Sequence, residues 1–276
     1  MGCGLTFPGS RLRAAPMMAL VRRDLAIRRS YRVAIVGDLL GGLVSLAIFY
    51  FVSRTLRPAE GESLAGAPNY FAYVAVGVAI VTVTASASVL LARSVREEQL
   101  TGTLEMLASA PVRAAETALG IAAYPFVAAV LRAAIYVIAA DVVFGLGVDH
   151  PDWLGFAAVL SAALAVIAAI GVAMAALVLI VQRGEAILAM VAFALGFLGG
   201  AYFPRSRLPG VLEALGSITP TRFAFDGGRS ALIQGEGWGG DALVLLAMGA
   251  VGLPLAIALF SGALAYARRH GTLAQY

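Results

Sequence analysis

Residues 153–181 read WLGFAAVLSAALAVIAAIGVAMAALVLIV, and none of them is charged. A helix that crosses the ~30 Å hydrocarbon layer of a bilayer needs roughly 20 apolar residues. This run is long enough, and it lacks the strict apolar/polar alternation of a barrel strand, so a transmembrane helix is predicted. Working outward, the same character recurs at 33–52, 70–92, 117–145, 186–203 and 242–266. The predicted fold is therefore an all-α membrane protein with six transmembrane helices in one domain over 33–266. Flanking it are a cytoplasmic N-terminus, 1–32, and a short cytoplasmic tail, 267–276.

Composition supports that class. Of 276 residues, 61% are hydrophobic and 13% charged, with a mean hydropathy of +0.89. A soluble domain is about half apolar and about a quarter charged. An apolar surplus of this size cannot be hidden in one water-soluble core, and the polar stretches are too short to form a second one.

Arginine placement sets the expected orientation. Arg11, Arg13, Arg22, Arg23, Arg28, Arg29 and Arg32 precede the first span, and Arg93, Arg96 and Arg113 lie between the second and third. The positive-inside bias puts both termini in the cytoplasm of a bacterial cell, with the chain in its plasma membrane. Within 16–32, PMMALVRRDLAIRRSYR, Met17, Val21 and Leu25 recur at helical spacing beside a dense arginine face. An amphipathic helix at the cytoplasmic interface is predicted there. The N-terminal MGCGLT matches an acylation pattern at Gly2, which is taken as coincidence in a bacterial chain. No cleavable signal peptide is expected.

Several chemistries are excluded. All 20 basic residues other than histidine are arginine, so the chain has no Walker A lysine and no lysine Schiff base. Cys3 is the single cysteine, and His150 and His270 are far apart, so neither a disulfide nor a metal cluster is expected. No convergent nucleophile, acid or base stands out, so no catalytic residue is assigned.

Charges inside the spans are candidates for a translocation path or a subunit interface. Arg132 falls mid-span, where a cation costs about 2.5–3.5 kcal/mol even on the lenient insertion scale. Asp141 is about 13 Å further along the same helix, and Asp38 differs in depth by about 14 Å, so neither is an obvious partner for Arg132. Its guanidinium either meets an anionic or polar group or bonds carbonyls of a neighbouring helix. Gly37 and Gly41, and Gly196, Gly199 and Gly200, mark faces suited to close helix packing. The last long loop, 204–241, holds two half-apolar helical patterns divided at Pro220. Neither can span, so interfacial or re-entrant helices are predicted before the sixth span.

The loop between the second and third spans, 93–116, contains VREEQLTGTLEMLASAPV at 95–112. Thr103 is placed to cap a short helix, with Glu105 in its first turn. Leu100, Leu104 and Leu107 share one face, Gly102 permits a sharp entry, and Pro111 ends the helix. The outcome is a rigid amphipathic handle between two transmembrane helices.

With that loop, REEQLTGTLEMLASAPV, and with GGAYFPRSRLPGVLEALGSITPTRFAFDGGR in the last loop, the sequence resembles ABC-2-type permeases. These are the membrane subunits of bacterial ATP-driven exporters, the daunorubicin-resistance permeases among them. The resemblance implies that the handle is a coupling helix docking on a separate ABC ATP-binding subunit. Arg96, Glu97, Glu98, Gly102, Thr103, Leu104, Glu105, Leu107 and Pro111 would then lie at or near the contact. It also implies two ATPase copies, a second permease chain as a homodimer or close relative, and an outward-moving lipophilic or amphipathic cargo such as a drug, lipid or glycan-lipid. ATP and Mg would sit on the partner, with no cofactor on this chain; membrane lipids, but no nucleic acid, complete the expected partners. Two rival readings differ in what they require. An ion-coupled secondary transporter would need more intramembrane acids than Asp38 and Asp141, and a membrane enzyme would need a convergent catalytic set.

Overall fold

A computed structural model describes residues 32–55, 64, 66–84, 127–128, 131–146, 151–181 and 185–270. Among these the regular structure is entirely helical, as predicted. The elements are α1 (Arg32–Thr55), α2 (Tyr70–Thr84), α3 (131–142), α4 (Trp153–Val181) and α5 (Glu185–Gly199). A 3₁₀ turn, Arg205–Arg207, leads to α6 (Gly210–Ile218) and α7 (Pro220–Arg229). A single π turn, Ser230–Gln234, and a left-handed Gly235 connect α7 to α8 (Gly239–His270). Each of the six apolar stretches read from the sequence carries a helix. Two segments, Trp153–Val178 and Gly239–Tyr266, are long and apolar enough in themselves to cross a membrane. The predicted interfacial helix at 16–32, except Arg32, which opens α1, and the coupling loop 93–116 lie outside the described residues.

α2 is the axis of the bundle. Asn69 opens it, its side-chain oxygen accepting the Ala72 N–H at 2.8 Å. From Phe71 to Val81 every residue is buried. α1 packs nearby through Leu39, Leu43 and Leu46, and α3 through Ala133, Tyr136, Val137 and Ala140. Gly42 of α1 lies under the Tyr136 ring, where a Cβ would collide with it. Tyr50, Phe71 and Phe144 close this group at one end, with ring centroids 5.2–5.8 Å apart.

α4 and α8 pack through small residues, Gly249 against Ala165 and Gly252 against Ala169. The start of α4 is capped by Asp152, which accepts the Gly155 N–H at 2.8 Å on one oxygen and the Trp238 indole N–H at 2.8 Å on the other. The outer surfaces are hydrocarbon: Val36, Leu40, Val44, Ile48 and Phe51 on α1, and Leu243, Leu246, Val251, Leu255 and Leu259 on α8. Contiguous exposed apolar surface of this extent is what a chain facing lipid presents.

α5 ends earlier than the predicted 186–203. Gly200 adopts φ +87°, and the N–H groups of Gly200 and Ala201 return to the carbonyls of Phe197 and Gly196 at 3.2 and 3.1 Å. That pair of bonds is a Schellman stop, which only a residue at ease with positive φ can make without strain. The 15 residues of α5 extend about 22 Å, short of the ~30 Å layer.

Candidate functional site

The hairpin that follows α5 is held by several close contacts to its neighbours. Pro220 starts α7 at the first helical position, where its missing N–H costs nothing. Gly227 and Gly228 then bring α7 close to its neighbours. A Cβ at Gly228 would press on Ile80 of α2, and one at Gly227 would meet Val159 of α4 and Asp241 of α8. Thr221 hydrogen-bonds the Leu195 carbonyl of α5 at 2.5 Å, across from Gly199. α7 is thereby inserted among α2, α4, α5 and α8, while α6 stays on the outside with only Gly216 buried.

At the end of α7, Arg229 is 1% exposed. Its Nε donates to the Tyr73 carbonyl at 3.1 Å, and one terminal nitrogen donates to the carbonyls of Gly200 and Ala201 at 2.9 and 3.2 Å. The guanidinium lies 3.6 Å from the Tyr73 ring centroid. The Tyr73 hydroxyl donates to the same Gly200 carbonyl at 3.0 Å, and Tyr70 donates to the Tyr202 carbonyl at 2.9 Å. Gly77 makes room for this node, since a Cβ there would strike the Ala201 carbonyl oxygen. A buried cation removed from water costs several kcal/mol unless its donors are satisfied. Carbonyls freed where α5 stops provide most of that satisfaction.

Further out, Asp226 lies among three arginines of the hairpin. Arg205 pairs with it at 2.8 Å, Arg222 lies at 3.6 Å, and Arg229 reaches only 3.9 Å. Arg222 also donates to the Ser217 carbonyl at 2.9 Å, tying the end of α6 to α7. The stem of Arg205 runs between Gly200 and Gly216. Together these bonds hold the two arms of the hairpin against the end of α5.

A family model described as ABC-2 type transporter matches residues 16–233. The chain belongs to the ABC-2 type transporter family. No curated protein matches it. An ABC-2 chain is the membrane subunit of a transporter and not itself a catalytic one, and membership supports an ABC ATPase as its partner. The matched range covers both segments that carried the resemblance, the loop at 93–116 and most of the hairpin.

The site residues expected from the sequence have mixed positions in this ABC-2 chain. Arg96, Glu97, Glu98, Gly102, Thr103, Leu104, Glu105, Leu107 and Pro111 all lie outside the described residues. Asp38 is on α1. Arg132 is on α3, half-buried and engaged in an interaction, so the absence of an obvious partner in the sequence does not carry over to the structure. Asp141 is exposed near the end of α3. The node formed by Arg229, Tyr73, Gly77 and Gly200 was not singled out from the sequence. Its one legible signal was DGGR at 226–229, an arginine directly behind two glycines.

Proposed function

We propose that this chain is the permease subunit of an ATP-driven exporter of the bacterial plasma membrane, with both termini cytoplasmic. A separate ABC ATPase, in two copies, docks on the 96–110 coupling helix, and the permease works as a dimer of identical or closely similar chains. The cargo is lipophilic or amphipathic and moves outward. The observation that carries this reading is the single family match running from residue 16 to residue 233, through the coupling segment and the hairpin. The absence of lysine adds to it, since a chain without a Walker A lysine must draw ATP energy from a partner.

Co-expression with an ABC ATPase encoded beside it tests the reading. The two chains should co-purify, and inverted vesicles should accumulate a lipophilic probe only with ATP. Leu104→Asp and Glu105→Arg should insert normally yet separate hydrolysis from transport. Transport that survives ATP depletion, or full transport by both variants, defeats the proposal.

A further inference from the structure

We infer that Arg229 is a positioning residue that makes α2, the end of α5 and α7 one rigid body, so that any displacement of α2 carries the outer hairpin with it. The inference rests on the exporter reading for the source of the motion, because α2 runs in chain order toward the segment proposed to meet the ATPase. Its structural half stands on geometry alone.

Two features of the node set it apart from ordinary helix packing. First, its hydrogen bonds are shared. The Gly200 carbonyl accepts from Tyr73 of α2 and from Arg229 of α7 together, while Arg229 also holds the Tyr73 carbonyl. Sliding any one of the three elements past another breaks hydrogen bonds on two of them at once, at a cation that is 1% exposed. Second, the contacts around the node are close. Gly77, Gly196 and Gly228 sit where an added Cβ would meet, in turn, the Ala201 oxygen, Val81 and Ile80. A register fixed by glycine fit and charged hydrogen bonds permits one arrangement. The α4–α8 contact is held differently, by close apolar packing of glycine against alanine. Sliding within the α2–α5–α7 body is thereby disfavoured.

Two measurements test this. The first needs no ATPase: hydrogen exchange on the purified chain, wild type against Arg229→Gln and Arg229→Lys. Expected is a rise in exchange in 70–84, 195–201 and 220–229 together for Gln, with Lys restoring part of the protection and α4 unaffected. Faster exchange confined to 220–229 would mean that the three elements are not one cooperative unit, and would overturn the inference.

The second uses a disulfide across α2 and α5 in a Cys3→Ser background. Val81→Cys with Gly196→Cys brings two Cβ positions to 3.7 Å, inside the usual range of roughly 3.5–4.5 Å. Expected is formation of the bond at equal rates with and without ATP, and transport by the oxidised complex within about twofold of the reduced one. Oxidation that stops transport, with recovery on reduction, shows α2 sliding on α5 and overturns the inference. In the same assay Arg229→Gln should lower the transport achieved per ATP hydrolysed, and Lys should partly restore it; an unchanged ratio for Gln also overturns it. A complex that neither hydrolyses ATP nor transports refutes the exporter reading, and the exchange result then decides the rigid body on its own.

Discussion

α6 and α7 are consecutive helices of 9 and 10 residues, separated by Thr219 alone. They meet opposite fates. α6, GVLEALGSI, is the more apolar, yet Val211, Leu215 and Ile218 face outward and only Gly216 is buried. α7, PTRFAFDGGR, carries two arginines and an aspartate, yet six of its residues are buried, Arg229 among them. In water the two would exchange places. Next to lipid, a valine or leucine gains nothing by going inside, because lipid tails are as apolar as the interior. Polar groups are the ones that must find partners within the protein. The hairpin is sorted by hydrogen-bond satisfaction, not by hydrophobicity.

The strongest way to break that contrast is Arg229→Gln. It takes the guanidinium from the Tyr73, Gly200 and Ala201 carbonyls, of which Gly200 keeps the Tyr73 hydroxyl. Leaving a buried acceptor unsatisfied costs about 1–3 kcal/mol. A thermal unfolding midpoint measured in detergent should fall steeply, with Arg229→Lys intermediate, because ammonium keeps the charge but not the planar stack on Tyr73. A midpoint equal to wild type would show that the buried arginine is not what holds α7 inside. Gly77→Ala attacks the same node by shape. Its methyl would drive apart α2 and the Ala201 turn, an overpacking cost of about 1–3 kcal/mol. The same measurement applies, and no change in the midpoint would mean that the turn yields freely.

A third variant lies outside the node, at the cap of α4. The Asp152 carboxyl is held below the usual aspartate range, first by the Gly155 backbone N–H and then by the Trp238 indole. As pH falls, the unfolded chain therefore takes up the proton first. The stabilising contribution is whole at neutral pH and is lost as pH drops below about 4, the ordinary aspartate value, through the lowered native one. Asp152→Asn should lower the midpoint slightly at pH 7 and flatten its decline in acid. An acid limb identical to that of wild type would remove Asp152 from the account.

The sequence made some of this legible. The helices of α1 to α5 and α8 follow from long apolar runs, and Pro220 correctly divided the last loop into two. Why one half goes in and the other stays out was not readable. That depends on where α5 stops, which Gly200 decides through a left-handed turn, and on carbonyls that the stop leaves open for an arginine 29 residues later. Periodicity reports which residues share a face, but not which backbone acceptors a distant side chain will find. The charges that did stand out in the sequence, Arg132 and Asp141, stood out for their depth in a predicted span. Arg229 escaped notice because it sits in a loop too polar to read as membrane.

The mildest test concerns α6. Leu215→Ser removes a large apolar side chain that is already exposed, so in detergent the stability should change by no more than about 0.5 kcal/mol. A soluble protein losing a leucine from its most apolar helix would lose several times that amount. The substitution is informative because its expected effect depends on the surroundings: near zero in a micelle that solvates the site, and larger when the unfolding of α6 is followed in a bilayer whose tails the stripe contacts. If Leu215→Ser destabilised the detergent-solubilised chain as much as Gly77→Ala does, the outer face of α6 would be a packed surface after all. The two arms of the hairpin would then differ in degree and not in kind.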